Sequence, residues 1–492
     1  MKNILSLLLL FTGLTAFSQT SIKTDSVYIS GKIENYARYK DSANSVQFIV
    51  NDIVLGTQVT HRAKIADNGI YKFSLLKTGP QDVYIQYNNE LETVIIAPGQ
   101  HMQIDFDASK FETSLSFKGD GAKTNTDFKA WKTAFDTEST RLYGTQTVAR
   151  YRAMATHIKD DDADAYAKYM AMRYTADSLF LANYIKQHKG LDPLFVKWVN
   201  TDLKYEVYEN LMRFVWMHPR YNGKETTDFT PPESYYSFVK TAELNDPSLS
   251  MASKYGGFLA EYVRYLLKDL PTSRTSKDVT NKYAAQPASF AKDVILCQRV
   301  AGLLQAKKMD IAKEALVAVN TSVTNADFKN KVTAAYNKAI EQQTNYQAAA
   351  TAKVNTTPKT EADSLFAKLI GKYPNKVVYI DFWGTWCGPC REEMPNAKLL
   401  REKFEGKDVV FLYLGVQSVE KDWKAMIAKL DIKGEHYLLN NNEYAALAEK
   451  FQISGIPRYI LVDRNGRVFN DNAKRPGDDN LKPEIDALLG AK

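Results

Sequence analysis

The chain has 492 residues, with 64 lysines and arginines against 57 acids, a formal net charge of +7 and 45% hydrophobic residues. A charge this small, with both signs interspersed, argues against nucleic-acid or membrane-surface binding, and the length predicts about three globular domains. The elements follow in chain order.

Behind Lys2 runs an apolar stretch over residues 4–11, and Ala16-Phe17-Ser18 places small residues where a signal peptidase reads. This predicts a cleaved secretory signal over residues 1–18 and an exported protein, periplasmic or in the cell envelope, beginning near Gln19. The run is too short to favour a membrane span, and no comparable run follows it. No cysteine near the cut could accept a lipid.

Residues 19–122 read as all-β. Alternating or apolar segments recur at 27–33, 45–54, 71–76, 83–87, 93–96, 102–106 and 114–117, separated by turn signals such as Asp67-Asn68-Gly69, Gly79-Pro80 and Pro98-Gly99. A small β-sandwich is the simplest solution, and it carries no catalytic constellation. Residues 123–350 change to helical periodicity, with stretches of helix length at 163–188, 193–215, 255–270 and 290–306. Segments 311–319 and 326–342 look like a helix pair, but no stable repeat period emerges. The region reads as a helical spacer bundle, with a substrate-presenting groove as the alternative. Cys297, inside Val294-Ile295-Leu296-Cys297, reads as a buried small hydrophobe. Residues 344–361 read as a linker or strap, and 362–369 as a short helix leading into a last unit over residues 355–492.

That unit holds the most informative motif. Two of only three cysteines, Cys387 and Cys390, stand three residues apart, a spacing that random scattering gives in roughly one chain in a hundred. They follow the apolar strand 377–383 and open a helix-competent stretch. A cysteine at a helix N-terminus faces unpaired N–H groups and the positive end of the dipole, which favour thiolate. Cys387 is placed to gain this, and Cys390, one turn in, is more enclosed. Gly388-Pro389 pre-sets the turn between them. Asp381 interrupts the strand, so its carboxyl is expected to be buried with a raised pKa and able to exchange a proton with Cys390. Trp386 reads as a partly exposed lip.

Other readings of the pair fare worse. Structural zinc needs four ligands, and the six histidines stand singly, so no metal is expected. Covalent haem needs His after the second cysteine, where Arg391 stands. A structural staple over so short a loop gains little by chain entropy. No cofactor is expected.

Residues Asp381 to Pro395, through Trp386-Cys387-Gly388-Pro389-Cys390, resemble the active-site signature of the thioredoxin superfamily, in particular the TlpA/ResA-like bacterial extracytoplasmic thiol-disulfide oxidoreductases. Pro395 stands where the family kinks its active-site helix. Gly455-Ile456-Pro457 before strand 458–463 resembles its cis-proline loop. The resemblance implies a Cys387–Cys390 redox disulfide, a cis Pro457 beside it, and an Ile456 backbone that offers hydrogen bonds to an extended substrate. The β-rich region resembles a domain of unknown function often found ahead of thioredoxin-like units.

Strand 409–414, helix 420–430, the short segment 436–439, helix 443–451, an Asn465-Gly466 hairpin, strand 467–469 and a final helix at 483–489 follow the thioredoxin order. Two departures stand out: Tyr413 falls where thioredoxins place a lysine near the buried acid, and a helix rather than a β-hairpin precedes the unit.

The fold class expected is therefore multidomain: an N-terminal all-β sandwich, a middle all-α region and a C-terminal α/β thioredoxin-like fold. The function expected is protein-disulfide reduction through a mixed disulfide. Its partners would be protein thiols and disulfides of the cell envelope and a membrane electron donor. A thiol peroxidase, or a scaffold with an idle thioredoxin unit, are the alternatives. The former lacks the proline- and threonine-bearing loop that peroxiredoxins place before their cysteine.

Overall fold

The computed structural model describes residues 24–40, 44–88, 90–143, 149–351, 361–453 and 455–490. The expected signal sequence and residues 352–360 of the expected linker lie outside them.

Eight strands come first: β1 (Asp25–Glu34), β2 (Ser45–Asp52), β3 (Thr57–Lys64), β4 (Ile70–Lys77), β5 (Gln81–Tyr87), β6 (Glu90–Ile96), β7 (His101–Asp107) and, after the single turn α1 (Phe111–Ser114), β8 (Ser116–Gly119). They form two four-stranded sheets, ordered β4-β1-β7-β8 and β3-β2-β5-β6. Alternation sends Val27, Ile29 and Ile33 of β1 and Val46, Phe48 and Val50 of β2 into one core between the sheets. The sequence reading passes over β3. Its Gln58, Thr60, Arg62 and Lys64 are polar, as an edge strand permits, and only Ala63 is fully buried.

The helical region comprises α2 (Ala122–Tyr143), α3 (Ala149–Asp160), α4 (Ala163–Gln187), α5 (Pro193–Tyr221), α6 (Ser253–Leu267), α7 (Ser276–Ala284), α8 (Phe290–Gln305), α9 (Met309–Ser322) and α10 (Ala326–Thr351). Asp162 and Asp192 cap α4 and α5 through side-chain bonds to backbone N–H groups. One correction concerns residues 344–351, read above as linker. They continue α10, and alanine, dense in this stretch, is the best helix former. Cys297 is fully buried in the helical core, where burial and then Asp293 push its thiol up to about 12.

The helices pack on the outer face of the second sheet. Ile95 of β6 joins Phe128, Trp131, Phe195 and Trp198 in a shared core. Asn125 locks this seam, accepting from Ile95 N at 2.7 Å and donating to Ile95 O at 2.8 Å. Asp82 of β5 accepts from Trp198 Nε1 at 3.2 Å and from Ser253 N at 3.0 Å. β5 is consequently buried on both faces.

The last unit starts with α11 (Glu361–Ile370) and continues through β9 (Val377–Trp383), α12 (Gly388–Glu402), β10 (Val409–Gly415), α13 (Glu420–Lys429), β11 (Glu435–Leu438), α14 (Asn441–Lys450), β12 (Arg458–Val462), β13 (Val468–Asn470) and α15 (Leu481–Gly490). Its five-stranded sheet runs β11-β10-β9-β12-β13, with β9 parallel to β10 and antiparallel to β12. Every residue of β9 is buried, as a central strand covered on both faces requires. Val378, Ile380 and Phe382 face α11 and α14. Val377, Tyr379 and Trp383 face α12 and α15. Multidomain β, α and α/β architecture is as the sequence led us to expect.

Candidate functional site

β9 ends at Trp383, and residues 384–387 turn the chain into α12. Gly384 is needed there: a Cβ would lie 2.8 Å from Trp386 Nε1 and 3.1 Å from Val416 O. The turn is pinned to the next loop by Thr385 N donating to Ser418 Oγ at 3.0 Å and Trp386 Nε1 donating to Gln417 O at 3.0 Å. Trp386 itself is 56% exposed and forms a rim.

Cys387 is the N-cap of α12, with Pro389 in the first turn. Its sulfur accepts the Cys390 N–H at 3.1 Å, the bond that would hold a thiolate in the reduced form. The two cysteines are joined by a disulfide with sulfurs 2.02 Å apart and Cα atoms 5.3 Å apart. In this oxidised form Cys387 is 3% and Cys390 1% exposed. A Cβ on Gly388 would meet nothing within 4 Å, so the approach over the turn is open. Pro395 lies inside α12, and the Ile456–Pro457 peptide bond is cis. Ile456 packs against the core that contains both cysteines.

Asp381 lies on the same face of β9 as Tyr379 and Trp383, the face covered by Cys390 and Met394 of α12. It is 3% exposed, and its Oδ1 has no hydrogen-bond partner. Burial, and secondarily the Glu393 carboxylate, hold its pKa well above the ordinary carboxylate range. The protonated form is therefore favoured relative to an ordinary carboxyl, so the group holds a proton it can give and, once ionised, is a strong acceptor for one.

Register supplies neighbours that the sequence did not announce. Asp381 pairs with Tyr413 on β10 and with Tyr459 on β12, so a phenol flanks it on each side. Burial and then Asp381 push Tyr413 up to about 12, and its oxygen accepts from Arg401 Nη1 at 3.3 Å. Tyr459 stacks on Tyr379 with centroids 5.5 Å apart, and its buried hydroxyl has no partner. Glu393, three residues beyond Cys390, accepts from Asn396 Nδ2 at 3.2 Å and lies 3.8 Å from Arg475 Nη1. Only the i+3 spacing of Glu393 from Cys390 was visible in the sequence. Among the described residues no group of three or more His, Cys, Asp and Glu side chains could hold a metal ion.

A disulfide at a helix N-terminus, a buried acid beneath it and a cis-proline loop packed into the same core, all on a five-stranded sheet with helices on both faces, define a thioredoxin-like unit. The family model described as thioredoxin-like matches residues 375–468, and the C-terminal domain of the chain is thioredoxin-like. Among curated proteins, the thiol-disulfide oxidoreductase ResA of Bacillus thuringiensis subsp. konkukian is 27% identical over 99 residues, covering 20% of this chain and 56% of that one. ResA of Geobacillus kaustophilus is 30% identical over 105 residues, covering 20% and 55%. The chain thus spans about half the length of these curated relatives. A solution structure of a candidate thiol-disulfide oxidoreductase from Bacteroides vulgatus shows 37% identity, covering 25% of this chain and 80% of that one, with a TM-score of 0.23.

Proposed function

We propose that the protein is an exported thiol-disulfide oxidoreductase that reduces disulfides in other proteins of the cell envelope. The observation that carries this reading is the Cys387–Cys390 disulfide at the start of α12, above the buried Asp381, whose Oδ1 has no hydrogen-bond partner. In the reduced protein the Cys387 thiolate attacks one sulfur of a substrate disulfide. That S–S bond breaks, a mixed disulfide forms, and the leaving thiolate takes a proton from solvent. In molecules whose Asp381 carboxyl has first released its proton to solvent, Cys390 passes its proton to that carboxylate and its sulfur attacks the Cys387 sulfur. The second substrate thiolate leaves, and the Cys387–Cys390 disulfide closes. Two electrons pass to the substrate, and the dithiol of a membrane electron-donor protein returns them.

In this scheme Trp386, Gly388, Pro389, Ile456 and Pro457 form the surface on which the substrate chain lies, with the exposed indole as its rim. Export rests on the N-terminal apolar run, and no helix among the described residues is long and apolar enough to cross a membrane. We assign the β-rich part to residues 19–122, the helical part to 123–350 and the redox unit to 355–492.

The test is a Cys390→Ala variant of the full chain, in which resolution is blocked. It should accumulate mixed disulfides through Cys387 with envelope proteins, seen as adducts that dissolve on reduction. Absence of any adduct would count decisively against the reading. The reduction potential of the Cys387/Cys390 pair then fixes direction, a strongly negative value marking a reductant.

A further inference from the structure

The redox unit meets the β-sandwich along the outer face of β2 and β3. Asn44 Nδ2 donates to Asn442 Oδ1 across this seam at 3.0 Å. Beside that bond lies a small cavity lined by Asn44, Gln47, Arg62 and Asn88 from the sandwich and by Gln417 and Tyr444 from the redox unit. Its interior is about 30 Å³, room for a pair of waters or one carboxylate group.

Arg62 is the unusual member. It sits on the outer face of β3, opposite Gln47 of β2. Its Nε is closed to solvent and has no hydrogen-bond partner, and no ion pair to the guanidinium exists among the described residues. The Tyr444 phenol and, more weakly, the Glu449 carboxylate act on it through space, and neither forms an ion pair or hydrogen bond with it. Burial lowers the Arg62 pKa, yet an arginine keeps its charge under all ordinary conditions. The residue as a whole is half-buried, so a guanidinium with one enclosed, unsatisfied N–H and two nitrogens still reachable is a group that a bidentate carboxylate would satisfy well. The first turn of α14 does not supply the attraction, because Asn440 and Glu443 already close a capping box on it.

The cavity is joined to the redox site by one residue. Gln417 lines it, and the Gln417 carbonyl holds the Trp386 indole N–H at 3.0 Å, next to Cys387. We infer that Arg62, with the amides around it, forms a carboxylate subsite that binds an acidic group of the substrate polypeptide near its disulfide. This rests on the oxidoreductase reading, and it gives the N-terminal sandwich a part in choosing substrates.

The test uses the full-length Cys390→Ala protein and cyclic peptide disulfides that differ only in Glu or Gln at positions flanking the cysteine. The rate of mixed-disulfide formation is followed by mass spectrometry. Amidated and free C-termini separate a side-chain carboxylate from a chain-terminal one. The carboxylate peptide should react about tenfold faster than its neutral twin, the scale of one charge-assisted hydrogen bond. Arg62→Gln should bring that ratio to about one, and Arg62→Lys, which keeps the charge without the fork, should retain part of it. Equal rates for both peptides, or a ratio unchanged in Arg62→Gln, would overturn the subsite. Uncharged hydroxyethyl disulfide provides the control for the chemistry. If the reduced protein fails to react with it, the oxidoreductase reading falls and the subsite with it. If it reacts and the peptides do not differ, the subsite falls alone.

Discussion

Among the described residues two strand aspartates are fully buried, Asp82 on β5 and Asp381 on β9, at 5% and 3% exposed. Asp82 spends its carboxylate on Trp198 Nε1 and the Ser253 backbone, so its hydrogen bonds oppose the burial that raises its pKa. Asp381 has an orphaned oxygen and a second carboxylate nearby, and its pKa is held well above the ordinary range. The comparison shows that burial alone does not mark a reactive acid. What separates them is whether the carboxyl is consumed by the fold.

The largest effect expected lies on the reactive side of that contrast. Cys387→Ser should abolish disulfide reduction, because no other described cysteine but Cys390 is near and Cys297 is buried in the helical core. Residual turnover of protein disulfides by this variant would break the assignment of roles.

Asp381→Asn comes next, and it should slow resolution of the mixed disulfide by about 10²-fold, the scale of a positioned acid–base group. Resolution in the unaltered protein should quicken as pH rises through the elevated Asp381 pKa. The Asn variant should lose that inflection, as stopped-flow thiol release would record. The same substitution should raise stability at neutral pH. A raised native pKa means the folded state keeps a proton that the unfolded chain gives up, so stability is lost as pH climbs from the unfolded towards the folded value. The gain from Asn should therefore vanish near pH 4, measured by thermal unfolding across pH in the oxidised form. A gain that persists at pH 4 would mean the carboxyl is not the source.

Asp82→Ala should behave oppositely. It leaves two buried donors without acceptors and should cost about 2–3 kcal/mol of stability, while the potential of the cysteine pair stays unchanged. Denaturant unfolding and a glutathione redox titration separate the two effects. A shift in the potential would show that the two acids are less distinct than their hydrogen bonds imply.

The two aspartates also differ in how far the sequence revealed them. Asp381 was legible because a charge breaks a seven-residue apolar strand and stands six residues before Cys387. Asp82 gave no local signal, since its partners lie 116 and 171 residues away in sequence. The same distinction runs through the fold. The thioredoxin-like unit was readable element by element, because its central strands β9, β10 and β12 are mostly apolar runs set between amphipathic helices. β3 was not, because an edge strand tolerates polar residues along its outer row, and Arg62 is one of them. Helices α2, α3 and α7 likewise escaped delimitation, and the alanine tract read as linker is simply the end of α10. The tyrosines flanking Asp381 required the register of three strands. Tyr413 was anticipated from its position, but Tyr459 was seen only as part of a strand.

Tyr459 offers the finest test of the contrast and the smallest expected effect. Its hydroxyl is buried, has no partner and stands across the ladder from Asp381. If the acid is neutral because of burial and Glu393, as its surroundings dictate, the phenol contributes packing and no hydrogen bond to the carboxyl. Tyr459→Phe should then change stability by no more than about 1 kcal/mol, because it removes an unsatisfied polar atom without opening a cavity. It should also leave the Asp381 inflection in the resolution rate where it was. A displaced inflection would reveal that the hydroxyl reaches the carboxyl when the disulfide opens. Asp381 would then resemble Asp82 more closely, as an acid whose behaviour is set by a hydrogen bond from a neighbouring element.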